Sequence, residues 1–197
     1  TSLYVIALDG GEARLAEALE ESISAYDLHP DGKRVVVVAT EPEDPERKKL
    51  REKGFAQEIY EEDGRAAKPW VGNLFDEARP AKLAVEGHVS GVYWSPLDDR
   101  IELAVAPSPL VDDDLVRKRV RIVDLQGKTL AQGENPGKLG EIRWSPDGKR
   151  VALIAAGGIH DPSDARLMLA PSTGGAPAEV LPGIEADAAA CAWQSVD

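Results

Sequence analysis

Trp144-Ser145-Pro146-Asp147-Gly148-Lys149-Arg150, followed by Val151-Ala152-Leu153-Ile154-Ala155, decides how the rest of this chain is read. Proline fixes φ at the first corner of a turn, aspartate bonds its own backbone, and glycine accepts a positive φ. An aromatic residue ends the strand before the turn. The run after it is β-branched and small, as in a strand covered on both faces. The stretch is a β-hairpin whose second strand goes inward.

The phrase recurs. Tyr26-Asp27-Leu28-His29-Pro30-Asp31-Gly32-Lys33-Arg34 leads into Val35-Val36-Val37-Val38, and Val92-Tyr93-Trp94-Ser95-Pro96-Leu97-Asp98-Asp99-Arg100 leads into Ile101-Glu102-Leu103-Ala104-Val105. A fourth copy begins at Ala190-Cys191-Ala192-Trp193-Gln194-Ser195. The last three copies lie about 50 residues apart and the first gap is wider by roughly 16, so the chain is a repeat protein. Between hairpins the pattern supplies further strands: 3–8 with a return at 14–16, 55–60, 68–75, 82–85, 120–125, 129–131, 166–170 and 178–181. Asp9-Gly10-Gly11-Glu12, Glu62-Asp63-Gly64-Arg65, Gln126-Gly127-Lys128 and Ser172-Thr173-Gly174-Gly175 are the turns. Within the first gap, Glu41-Pro42-Glu43-Asp44-Pro45-Glu46 opens a short solvated helix that continues through Arg47–Lys53 and stops at Gly54. The stretches 107–114 and 157–163 read as loops.

The expected fold is all-β: a partial β-propeller of about three complete four-stranded antiparallel blades, fragments of two more, and one short helical insertion. Its parts are the outer half of a blade at 1–20, a blade with the insertion at 21–86, blades at 87–137 and 138–184, and the first strand of a further blade at 185–197. The chain opens in a strand pattern at Thr1-Ser2-Leu3 and reads as a piece of something longer. Three blades do not close a ring. The parent protein is expected to supply the rest, or the open edges to pair with another copy.

The chain has 197 residues, enough for a sizeable core, and 43% of them are hydrophobic, as in a soluble globular protein. The net charge of −12 argues against nucleic acid and anionic membrane surfaces as partners. No apolar run approaches the ~18 residues of a membrane span. One cysteine excludes an intrachain disulfide and a multi-thiolate metal site. Cys191, after an alanine run, reads as a small core filler.

A narrower resemblance rests on Lys53-Gly54-Phe55, Tyr60-Glu61-Glu62-Asp63 and Trp70-Val71. Gly87-His88-Val89-Ser90-Gly91 with Trp94-Ser95-Pro96, and Ala106-Pro107-Ser108-Pro109-Leu110-Val111-Asp112-Asp113, extend it. Over essentially the whole length the chain resembles the propellers of bacterial prolyl-oligopeptidase-family serine peptidases, of the dipeptidyl aminopeptidase or acylaminoacyl-peptidase-like kind. The hairpin phrase alone also marks TolB-like propellers. The resemblance implies a propeller that gates and positions peptide substrates for a C-terminal α/β-hydrolase domain, which is absent from this chain. A TolB-like propeller acting as a protein-binding scaffold, with no enzyme attached, is the alternative.

No residue here reads as catalytic. A nucleophile elbow needs G-x-S-x-G, and Ser90 has the wrong spacing. His29 stands in a turn and is expected at the surface, His88 opens a strand, and His160 lies in a glycine-rich loop. The resemblance marks Glu61 and Glu62 as candidates to bind a substrate's free amino terminus, since paired carboxylates suit an ammonium ion. Next to Asp63-Gly64 they read first as a plain acidic turn. Trp70 is the third candidate for substrate binding, on a blade where it can face a cavity. Trp94, Trp144 and Trp193 share a repeat position and read as core. Asp112-Asp113-Asp114 lacks the spaced ligands of a calcium loop and reads as solvated. No metal and no cofactor is expected.

Overall fold

In a computed structural model, residues 2–17, 19–59, 62–76, 78–160 and 164–194 are described. They build an all-β protein of four antiparallel sheets. The first has two strands, β1 (Leu3–Val5) and β2 (Arg14–Glu17). The second runs β3 (Ile23–Leu28), β4 (Arg34–Thr40), β5 (Ala67–Asn73), β6 (Ala81–Lys82), with helix α1 (Pro45–Glu52) between β4 and β5. The third runs β7 (His88–Trp94), β8 (Ile101–Ala106), β9 (Arg119–Val123), β10 (Thr129–Gln132), with helix α2 (Val111–Val116) between β8 and β9. The fourth runs β11 (Leu139–Trp144), β12 (Arg150–Ala156), β13 (Ala165–Pro171), β14 (Ala178–Glu179). Within each sheet, strands neighbour one another in chain order, as a meander requires.

The repeated phrase closes each hairpin in the same way. His29, Ser95 and Ser145 donate their backbone N–H to Arg34, Arg100 and Arg150 at 2.9 Å. The turn carboxylates of Asp31, Asp98 and Asp147 accept the amides of Lys33, Arg100 and Lys149. Gly148 takes a φ of 63°, where a side chain is disfavoured, and its amide reaches Ser145 at 2.8 Å.

The strand after each turn is buried on both faces, and this sets how the sheets stack. In β4, Val35 and Val37 pack with Leu3, Val5 and Ala16 of the first sheet, while Val36 and Val38 meet Val89, Val92, Ile101, Leu103 and Val105 of the third. In β8 the alternation repeats. Ile101, Leu103 and Val105 face the second sheet, and Ala104 joins Val151, Leu153 and Ala155 of the fourth. The second and third sheets thus each lie face to face with the sheet before and the sheet after. Burying one valine, leucine or isoleucine contributes about 1.5–3 kcal/mol, so the central strands β4, β8 and β12 hold most of the stack together.

The sheets are also tied at their rims. The guanidinium of Arg34 lies over the Trp94 ring at 5.6 Å, Arg100 over Trp144 at 5.1 Å, and Arg150 over Trp193 at 5.3 Å. In each case the hairpin arginine of one unit covers the tryptophan of the next. The indole N–H of Trp144 donates to the Tyr93 carbonyl at 3.3 Å, and that of Trp193 to Arg143 at 3.1 Å. At the first joint the link differs: Asp27 Oδ2 accepts the backbone N–H of Trp94 at 2.6 Å. Farther out, Ala84 donates to Gln126, and Gly133 bridges Gly175 in parallel.

Several expectations are corrected. Phe55–Ile59 form no strand, because no neighbouring strand is left to pair with them; Tyr60 lies outside the described residues. The acidic loop at 107–114 contains α2: Asp113 and Asp114 pair with Arg117 and Lys118 one turn on, so these carboxylates are not simply solvated. There are therefore two short helices where one was expected. Ala188–Trp193 form no strand either, although the segment follows the fourth sheet through Ala188 to Ala165 and Cys191 to Glu141. Cys191 is only half-buried and fills no core. His29 is no surface residue: its side chain is 11% exposed, because its ring meets Trp94 edge-on at 4.9 Å.

Candidate functional site

The residues singled out as substrate-binding do not form one site. Glu61 lies outside the described residues. Glu62 is exposed in the turn that follows Ile59, on the rim of a depression of about 250 Å³ between α1 and the 55–65 segment. That depression is charged and largely self-compensated. Arg47 pairs with Asp63, Arg51 with Glu43 at 2.7 Å, and Arg65 with Glu21 at 2.6 Å. Asp63 also accepts the Ile59 N–H at 2.5 Å, and these donors hold its carboxyl below the usual range. Glu58 and Glu62 are left on the rim without an ion-pair partner among the described residues. Both are exposed, which is the plain acidic turn rather than a sheltered ammonium site.

Trp70 is placed differently. It projects from β5 toward the first sheet, packed with Val35, Val37 and Leu74. It lines a second cavity of about 470 Å³ with Leu19, Ala39, Pro42 and Pro80, and with Arg79, Glu20 and Glu21 as its charged residues. Its Nε1 is buried and has no hydrogen-bond partner among the described residues. A buried indole N–H without an acceptor costs about 1–3 kcal/mol. Arg79 is in no ion pair among the described residues and adds charged donors at the same mouth. The volume falls in the range of small-ligand sites, about 300–1,000 Å³, and mixed apolar lining with a few polar groups fits that use. The local sequence explains the placement. Pro69 and Trp70 follow Ala67-Lys68 on a strand paired throughout with β4, and strand alternation turns Trp70 to the Val37 side.

His29 and His88 are engaged by the fold, while His160 is exposed in its loop. His29 Nδ1 lies 3.0 Å from Asp31, and Arg34 also approaches the ring. His88 Nδ1 accepts the Ala67 N–H at 3.0 Å, and burial lowers the pKa of its ring. Among the described residues, no three His, Cys, Asp or Glu side chains gather as metal ligands, and no helix is long and apolar enough to cross a membrane.

Two features escaped the sequence reading. One is Glu102, fully buried on β8 with neither carboxylate oxygen hydrogen-bonded. The sequence shows a lone carboxylate within Ile101–Val105, but no local signal says that its face of the strand is covered. The other is the row of arginines on β9, whose common face follows from their i, i+2 spacing.

No family model matches the chain, and no curated protein does. Among solved structures, the chain is similar to one described as the crystal structure of the eukaryotic initiation factor, with a TM-score of 0.50 and 15% identity. The match covers 83% of this chain and 33% of that one, so this chain spans about a third of its length. At that identity the likeness concerns the fold alone.

Proposed function

We propose that this chain is a non-catalytic arc of a β-propeller that gates and positions peptide substrates for an α/β-hydrolase domain lying outside it, in a serine peptidase of the prolyl-oligopeptidase family. The observation that carries the propeller reading is the serial joint. Each four-stranded meander lies face to face with the next, and each hairpin arginine covers the following tryptophan. A rotation repeated at every joint produces a disc. The peptidase setting draws on the sequence resemblance and on Trp70. Trp70 and Arg79 both line the 470 Å³ cavity, and Arg79 offers a charged donor for the terminal carboxylate of an entering peptide.

The test has two parts. The purified 197-residue chain is expected not to hydrolyse aminoacyl or acyl-aminoacyl chromogenic substrates, and turnover would overturn the proposal. The full-length parent is expected to label with a fluorophosphonate. Trp70→Ala in that parent should raise KM for peptides several-fold and leave the labelling rate unchanged. A parent that does not label removes the peptidase reading.

The second reading, a TolB-like propeller serving as a protein-binding scaffold, is favoured by the first sheet. It has two strands only, and Tyr4 and Leu15 stand opposite each other on it, both exposed. A gene that continues into G-x-S-x-G, Asp and His within one domain length supports the peptidase. One that stops after one or two further repeats supports the scaffold.

A further inference from the structure

One groove of about 370 Å³ stands apart from the rest of this acidic surface. It is lined by Arg117, Arg119, Arg121 and Gln132 of the third sheet and by Glu86 and Gly87 of the segment leading into β7. In β9, Val120 and Ile122 turn into the core shared with the fourth sheet, so Arg119 and Arg121 share the opposite face. Gln132 is the β10 register partner of Arg121 and stands on that same face.

Most of the other arginines are neutralised by an acidic partner. Arg34, Arg47, Arg51, Arg65, Arg100 and Arg143 each pair with a carboxylate. Arg119 and Arg121 make no ion pair among the described residues, in a chain where 35 acidic residues face 23 basic ones. Arg119 Nη1 donates to the carbonyls of Val116 at 3.2 Å and Lys118 at 2.8 Å, and Arg121 Nη1 donates to Glu86 at 3.0 Å. Those bonds orient both guanidinium groups through Nη1, and among the described residues Nε and Nη2 of each make no hydrogen bond and form an open fork. Both side chains are half-buried, and burial lowers the pKa of Arg119. A partly desolvated guanidinium without a counter-charge is unfavourable until an anion joins it. Arg117 stands at the mouth, tied to Asp113 at 3.1 Å, and the exposed Glu86 side chain is the one carboxylate in the lining.

We propose that this groove binds an oxyanion group, a carboxylate or a phosphate, in the forks of Arg119 and Arg121, with Gln132 as a neutral donor beside them. Paired planar forks match the geometry of both anions, and an ammonium does not reproduce it. The proposal is independent of the propeller and peptidase readings.

The experiment titrates the purified chain with inorganic phosphate and, separately, with succinate, at a constant ionic strength of about 0.15 M. Calorimetry is expected to show saturable binding of one of them, and the preferred anion identifies the source. Arg119→Gln with Arg121→Gln should weaken it at least tenfold. Arg119→Lys with Arg121→Lys, which keeps the charge and loses the fork, should weaken it comparably. Because Arg119 also holds the Val116 and Lys118 carbonyls, a readout without variants accompanies these. The guanidinium Nε–H resonances of Arg119 and Arg121 in the unaltered chain should shift with one shared dissociation constant. The proposal fails if neither anion gives a saturable response up to about 50 mM, where even a millimolar site would fill. It fails equally if the lysine pair binds as the unaltered chain does.

Discussion

Glu102 stands on the central strand β8, opposite Tyr93 on β7 and Ile122 on β9. Its carboxyl is enclosed between the third and fourth sheets, and burial pushes its pKa well above the ordinary range. Tyr93, whose own phenol is pushed up by burial, is the ionisable group beside it. In the folded chain the proton is therefore retained, while the unfolded chain releases it near pH ~4.3. Above that pH the unfolded state binds fewer protons, so stability is complete at low pH and falls as pH rises toward the folded pKa. Glu17 and Asp27, both also raised by burial, act in the same direction. Glu102→Gln removes one contribution. In urea unfolding, the loss of stability between pH 5 and pH 8 should be smaller in the variant than in the unaltered protein. Parallel pH profiles for the two proteins would show that Glu102 ionises freely. At this scale the sequence was half legible. The tryptophans were marked by their shared position, but the arginine over each ring comes from the preceding unit, across roughly 50 residues, and local pattern carries no such pairing.

Local chemistry wrote some elements plainly and others only through their partners. Asp44 caps α1 by accepting the N–H groups of Glu46 and Arg47 at 2.9 and 3.2 Å, Pro45 opens it, and Gly54 follows its end at a φ of 94°. These signals are short-range, so they were read correctly. Because α1 buries no residue, its stability is its own. Asp44→Ala should remove about 1 kcal/mol from the helix. Amide exchange over residues 46–53 should then speed up about fivefold while the global urea midpoint stays in place. A matching fall in the global midpoint would mean that α1 is integral to the core. The helix α2 was missed because its signals lie in i, i+4 pairs, Asp113 with Arg117 and Asp114 with Lys118, behind a proline-rich approach that reads as loop. The strands expected at 55–60 and 188–193 failed for the opposite reason. Strand propensity needs a continuous backbone ladder: 55–59 gains none, and 188–193 meets the fourth sheet through one backbone bond, Ala188 to Ala165, and otherwise through the side chains of Glu141 and Trp193.

At the scale of the molecule, the order of the sheets follows from the double-faced strands. A run such as Val35–Val38 must be covered on both sides, and the first and third sheets cover it. The same holds for Ile101–Val105 between the second and fourth. This part of the architecture was legible, since a near-continuous apolar run marks a strand covered on both faces. The cavity beside Trp70 and the arginine groove were not, because each is assembled from segments distant in sequence. An experimental structure of the 197-residue chain, by crystallography, tests the serial joint most directly. The account predicts three four-stranded meanders stacked in chain order, with Arg34, Arg100 and Arg150 lying over Trp94, Trp144 and Trp193. Hairpins merged into one two-layered sandwich, or arginines turned away from those rings, would contradict it.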